Sequence, residues 1–192
     1  MKTLGLLLLS IFQLAQASVN DVYKQVPFSS QFKEDGALIR NVNYLAVKSY
    51  IPIIEKKYKI ELESRGEAHI TVITPPEAQG WFTDKKGINF LISTAELQEK
   101  YSQSMQNTGF KVKCIGRQKN KKGNTVFYLV VDSPDLMEIR KEIEAEVLLR
   151  AKFTNKKVYF KAQDFYPHIT IGYVGGDVHG VSKGADTCVI SI

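Results

Sequence analysis

Two short segments set an imidazole beside a hydroxyl. His69-Ile70-Thr71-Val72 lies in the first half of the chain and His168-Ile169-Thr170-Ile171 in the second. Alternate side chains of an extended strand share a face, so His69 and Thr71 point one way while Ile70 and Val72 point the other. His168 and Thr170 separate from Ile169 and Ile171 by the same rule. Only three His occur in 192 residues, and a Thr falls two places after a given His by chance about once in twenty. One such motif is weak; a matched pair is informative. Two imidazoles with ordinary pKa values near 6.5 can hold one neutral and one protonated form around neutrality. One can take a proton from an attacking water while the other protonates a leaving alkoxide, each contributing about 10²–10⁴-fold. The Thr hydroxyls can donate to substrate oxygens whose charge grows in the transition state. The motifs are chemically alike, so spacing alone does not say which His is base and which acid.

A metal centre is the rival chemistry. Only His179 remains as a third imidazole, and no Cys or carboxylate has ligand-like spacing around the motifs, so neither a metal nor another cofactor is expected. His179 follows a Gly-rich stretch and reads as an exposed loop residue. Arg65, just before the first motif, is a candidate phosphate contact. Tyr166 shares the strand parity of His168 and could stack a base, although Pro167 interrupts the segment. Trp81 and Phe82 follow Pro75-Pro76 and read either as a base-stacking wall or as core. Tyr173 stands at an odd offset from His168 and belongs to the opposite, core-facing side if the strand is regular. The basic run Lys119 to Lys122 reads as a solvated hairpin tip more readily than as an RNA contact. The segment after Gly175 shows no catalytic pattern.

The elements that must carry these residues repeat. Asn41 to Val47 reads as a strand, Ser49 to Glu61 as a helix and Ala68 to Thr74 as a second strand stopped by Pro75-Pro76. In the second half Thr125 to Val131 reads as a strand, and Ser133-Pro134 caps a helix with Pro at its first position. Leu136, Ile139, Ile143 and Val147 form its apolar face, and His168 to Val174 is the closing strand, stopped by Gly175-Gly176. Between the halves lie an expected helix near Thr94 to Met105 and a strand from Lys111 to Arg117.

With two His-x-Thr-apolar motifs on equivalent strands, the sequence resembles the 2H phosphoesterase superfamily. The resemblance implies an α/β (α+β) fold of two pseudo-symmetric lobes, each an antiparallel-rich sheet with packed helices around a central cleft. It also implies a metal-independent phosphodiesterase acting on a 2′,3′-cyclic phosphate or a related nucleotide or RNA-end phosphodiester, with His69, Thr71, His168 and Thr170 catalytic. In compact size and secretion signal the chain looks most like the fungal branch called Swiss Army Knife 2H proteins. A module that binds nucleotides or RNA ends without turnover is the alternative reading, although binding alone does not need two imidazoles.

Composition agrees with a single domain of ordinary globular type. It is 44% apolar and 24% charged with a formal charge of +6, which suits an anionic partner without choosing one. Met1-Lys2-Thr3, an apolar run to Leu14 and Ala15-Gln16-Ala17 read as a secretory signal, so residues 1–17 are expected to be removed and 18–192 to be the mature, extracellular domain. The run is shorter than the about 20 residues of a membrane span. A monomer with no obligate protein partner is expected. In an oxidising compartment Cys114 and Cys188 could pair or remain buried thiols.

Overall fold

The computed structural model describes residues 21–24, 26, 36–80, 87–155 and 157–192. The expected leader and the Trp81–Phe82 wall lie outside the described residues. Strand β1 (Leu38–Asn41) leads into two short helices, α1 (Tyr44–Lys48) and α2 (Ile51–Tyr58), and then β2 (His69–Ile73). A short helix, α3 (Pro75–Gln79), precedes α4 (Thr94–Gln106). The strands β3 (Lys111–Lys119) and β4 (Thr125–Asp132) form a hairpin, followed by α5 (Pro134–Thr154), β5 (His168–Val174) and β6 (Cys188–Ser191). The sheet runs β1-β2-β5-β4-β3-β6, with antiparallel neighbours throughout. The repeat is therefore β1–α1α2–β2 against β4–α5–β5. The lobes share one mixed α+β core, because β2 and β5 meet at Ile70 and Ile169 in the middle of a single sheet.

Local chemistry explains the boundaries. Asn41 to Val47 is not one strand: β1 ends at Asn41, and the Asn43 side chain accepts from Leu45 N–H to cap α1, turning the chain into a helix that buries Ala46 and Val47. Thr74 caps α3 with a full capping box. Its hydroxyl accepts from Glu77 N–H and the Glu77 carboxylate accepts from Thr74 N–H, so β2 stops where Pro75 begins the helix. In the β3–β4 turn Asn120 Oδ1 accepts from the backbone of Lys122 and Asn124, and Gly123 takes φ +94°, which favours glycine. Ser133 caps α5 through its bond from Leu136 N–H.

The sheet has two unequal faces. Ile70, Val72, Ile169 and Ile171 join Phe127, Leu129, Ile143 and Val147 in the main core. Behind the opposite face a smaller cluster holds Cys114, Val126, Tyr128, Val130 and Val178. Tyr173 belongs to this second cluster, contrary to its expected parity. A register shift sets Tyr128 against Thr170 but Phe127 against Gly172, so the extra residue flips the strand and brings Tyr173 opposite Val126. The strand β6, which had no sequence-level signal, pairs with β3 and is tied to it by a disulfide between Cys114 and Cys188, 74 residues apart with Cα atoms 5.7 Å apart.

One buried cation joins the two lobes. Arg140 on α5 ion-pairs with Glu77 at 2.8 Å, donates to Ala162 O at 2.9 Å and Lys161 O at 2.8 Å, and bonds Val72 O on β2. Its guanidinium also stacks on Phe160 and Phe165.

Candidate active site

Both motifs behave as period-2 strands. In β2, His69 and Thr71 are half-buried beside fully buried Ile70 and Val72; β5 repeats this with His168 and Thr170 beside Ile169 and Ile171. Ile70 faces Ile169 in antiparallel register. Extending that register one residue each way sets His69 across from Thr170 and Thr71 across from His168. All four line one cavity of about 500 Å³. Of the other sequence candidates, Arg65 and Tyr166 line the same cavity, and so does His179, read from sequence only as a loop residue. A second cavity of about 470 Å³, floored by Val130, Val131, Met137 and Phe165, shares Tyr166 and Lys183 with the first. The Lys119–Lys122 turn lines neither.

The two imidazoles sit in different surroundings. His168 Nδ1 lies 2.8 Å from Tyr166 O, and a carbonyl only accepts, so this nitrogen carries the proton. Its Nε2 lies 3.1 Å from Lys183 Nζ, and the ring packs edge-on against Tyr128 at 5.5 Å between centroids. Burial first, then the Lys183 charge, push the His168 pKa down to about 3, while the bond to Tyr166 opposes this and His69 and Arg65 add to the depression. His69 instead has its buried Nδ1 3.7 Å from Glu67 Oε1, an electrostatic neighbour at longer than hydrogen-bond distance.

Lys183 is the functional candidate that sequence reading missed. It is 6% exposed, with Nζ 5.6 Å from the centre of the Tyr128 ring. Burial, with a smaller contribution from the Arg65 charge, pushes its pKa down to about 8. It sits among Gly180, Ser182 and Gly184, where no periodic pattern marks it. Arg65 is held on the rim by Asp177, whose carboxylate also lies 3.6 Å from His179 Nε2. Tyr128 is fixed by its hydroxyl donating to Thr187 Oγ1 at 2.8 Å. Gly116 on β3 makes room for that pair: a Cβ there would fall 2.5 Å from Tyr128 Cε2 and 2.8 Å from Thr187 Oγ1.

The family described as the Swiss Army Knife, 2H phosphoesterase domain matches residues 41–179. The chain belongs to this family. The match takes in both His-x-Thr motifs, Arg65, Tyr166 and His179, and ends before Lys183. Membership gives phosphodiesterase-type activity, that of a hydrolase acting on a phosphodiester. No curated protein and no solved structure matches the chain. Among the described residues no helix is long and apolar enough to cross a membrane, and no three His, Cys, Asp or Glu side chains group as a metal site.

Proposed function

We propose that this 2H phosphoesterase hydrolyses a 2′,3′-cyclic phosphate, or a related nucleotide or RNA-end phosphodiester, by paired-histidine acid/base catalysis without a metal. The observation that supports this most is the convergence of His69, Thr71, His168 and Thr170 on one cavity. Water attacks phosphorus as one imidazole takes its proton. The P–O bond to the ribose oxygen breaks, and the other imidazole protonates the departing alkoxide. The two Thr hydroxyls and Arg65 stabilise the non-bridging oxygens. Tyr166 and the apolar floor of the adjoining cavity offer a surface for the base. The Cys114–Cys188 bond favours an oxidising, secretory-route setting for the enzyme.

Turnover of 2′,3′-cyclic AMP in the presence of EDTA tests the reading. His69→Ala and His168→Ala are each expected to lower kcat by about 10²–10⁴-fold. Full activity in either variant excludes the paired mechanism. Nucleotide affinity with no product from the unaltered protein would leave a recognition module in place of an enzyme.

A further inference from the structure

The two motifs look interchangeable in sequence, yet the position two residues before each His differs in kind. Before His168 it supplies a backbone carbonyl to Nδ1; before His69 it supplies the Glu67 carboxylate. With the His168 proton fixed on Nδ1, Nε2 keeps a lone pair. An ammonium group has no acceptor capacity, so the 3.1 Å contact is Lys183 donating to that lone pair. At His69, Nδ1 is the buried nitrogen, which leaves Nε2 for the cavity, and the Glu67 carboxylate complements the imidazolium from which an acid starts.

Among the described residues no carboxylate lies within ion-pair distance of Lys183 Nζ. Its polar partner is the neutral His168 ring, and Tyr128 supplies only a π face. A cation this buried is costly unless an anion or further acceptors complete it. The cavity onto which it opens also holds both Thr hydroxyls and Arg65.

We propose that Lys183 divides the labour between the two histidines: it holds His168 as the neutral general base and transfers its hydrogen bond to a phosphate oxygen when substrate binds, leaving His69 as the general acid. The substrate half rests on the phosphodiesterase reading above; the Lys183–His168 link does not. In the reaction, the incoming phosphate draws the Lys183 donor away and frees Nε2. Nε2 then accepts the proton of the attacking water as the P–O bond forms. The opposite P–O bond breaks and His69 Nε2–H protonates the leaving oxygen. Water is thereby added across one P–O bond, and solvent resets the two protons. The groups that face His168 are consistent with its role as base. Lys183 comes from the 175–187 segment, Arg65 from the α2–β2 connection, His69 from β2 and the Tyr128 ring from β4. The charged groups among them that act on His168 all disfavour its protonation.

Lys183→Met and Lys183→Arg, made in the full chain, test this by three readouts. Side-chain NMR titration follows the protonation of His168. Lys183→Met is expected to raise its midpoint by about one pH unit, and Lys183→Arg to restore it. Inorganic phosphate is expected to bind Lys183→Met about tenfold more weakly than the unaltered protein. On 2′,3′-cyclic AMP the acid limb of kcat/KM should move upward with the His168 midpoint. An unmoved His168 midpoint in folded Lys183→Met, unchanged phosphate affinity, or an acid limb that does not follow His168 overturns the proposal. If the unaltered protein turns over no cyclic nucleotide, the substrate reading fails, while titration and phosphate binding still decide the role of Lys183.

Discussion

Holding His168 neutral inside the fold makes its protonation a route to unfolding. Its pKa falls from the 6.5 of an unperturbed ring to about 3 in the native protein. Between those values the unfolded chain binds more protons than the folded one, so stability rises with pH. The contribution is fully present above pH 6.5 and is lost progressively as pH falls toward 3. Lys183 has the same sign in a higher window: its pKa drops from 10.5 to about 8, so it adds stability as pH rises from 8 through 10.5. The urea midpoint should therefore fall between pH 7 and pH 5, and His168→Asn should flatten that fall. An equally steep fall in the variant would show that other groups cause it. Function opposes stability at Lys183, because its charge, needed for an anionic substrate, is lost above about pH 8.

At the level of elements, α5 positions both motifs through one charged residue. Arg140 lies on the buried stripe with Leu136, Ile143 and Val147, and it reaches β2, α3 and the loop that leads to β5. Arg140→Ala should cost about 3–5 kcal/mol in urea unfolding, because it strands the Glu77 carboxylate and several carbonyls. Adding Glu77→Gln should recover part of that loss; a double variant no more stable than the single would mean that the carbonyls alone carry the cost. Arg140 was visible in principle as a charge at apolar spacing, but the heptad-like run around it reads as an ordinary amphipathic face. Placement that follows from periodicity was legible: alternation put His69 with Thr71 and His168 with Thr170 on one face of each strand, and Pro134 marked a helix start. What escaped depends on contacts between distant segments or on one local bond. Asn43 turned an apparent strand into a helix, a single inserted residue reversed Tyr173, and β6 exists because β3 offers it an edge. Lys183 is one of 26 Lys and Arg residues and is distinguished only by what it is buried against.

Across the whole molecule, the wall that carries both His-x-Thr motifs forms where chain separation is large. The β3–β4 hairpin joins neighbours in sequence, whereas β2 meets β5 over a short register centred on Ile70 and Ile169. The disulfide tethers the segment carrying Lys183 to β3, and in the chain-entropy view a crosslink of this span contributes roughly 4 kcal/mol by restricting the unfolded chain. It does not, however, join β2 to β5. Loop-closure entropy must be overcome before distant strands gain from contact. The Ile70–Ile169 junction is thus expected to be a late event in folding, after the hairpin and the helices. Starting from disulfide-intact, urea-unfolded protein, far-UV circular dichroism should recover before phosphodiesterase activity; simultaneous recovery would show that the junction belongs to the folding nucleus. A chain can therefore have nearly all its secondary structure and still hold two half-sites, each with a His and a Thr, with no cleft between them.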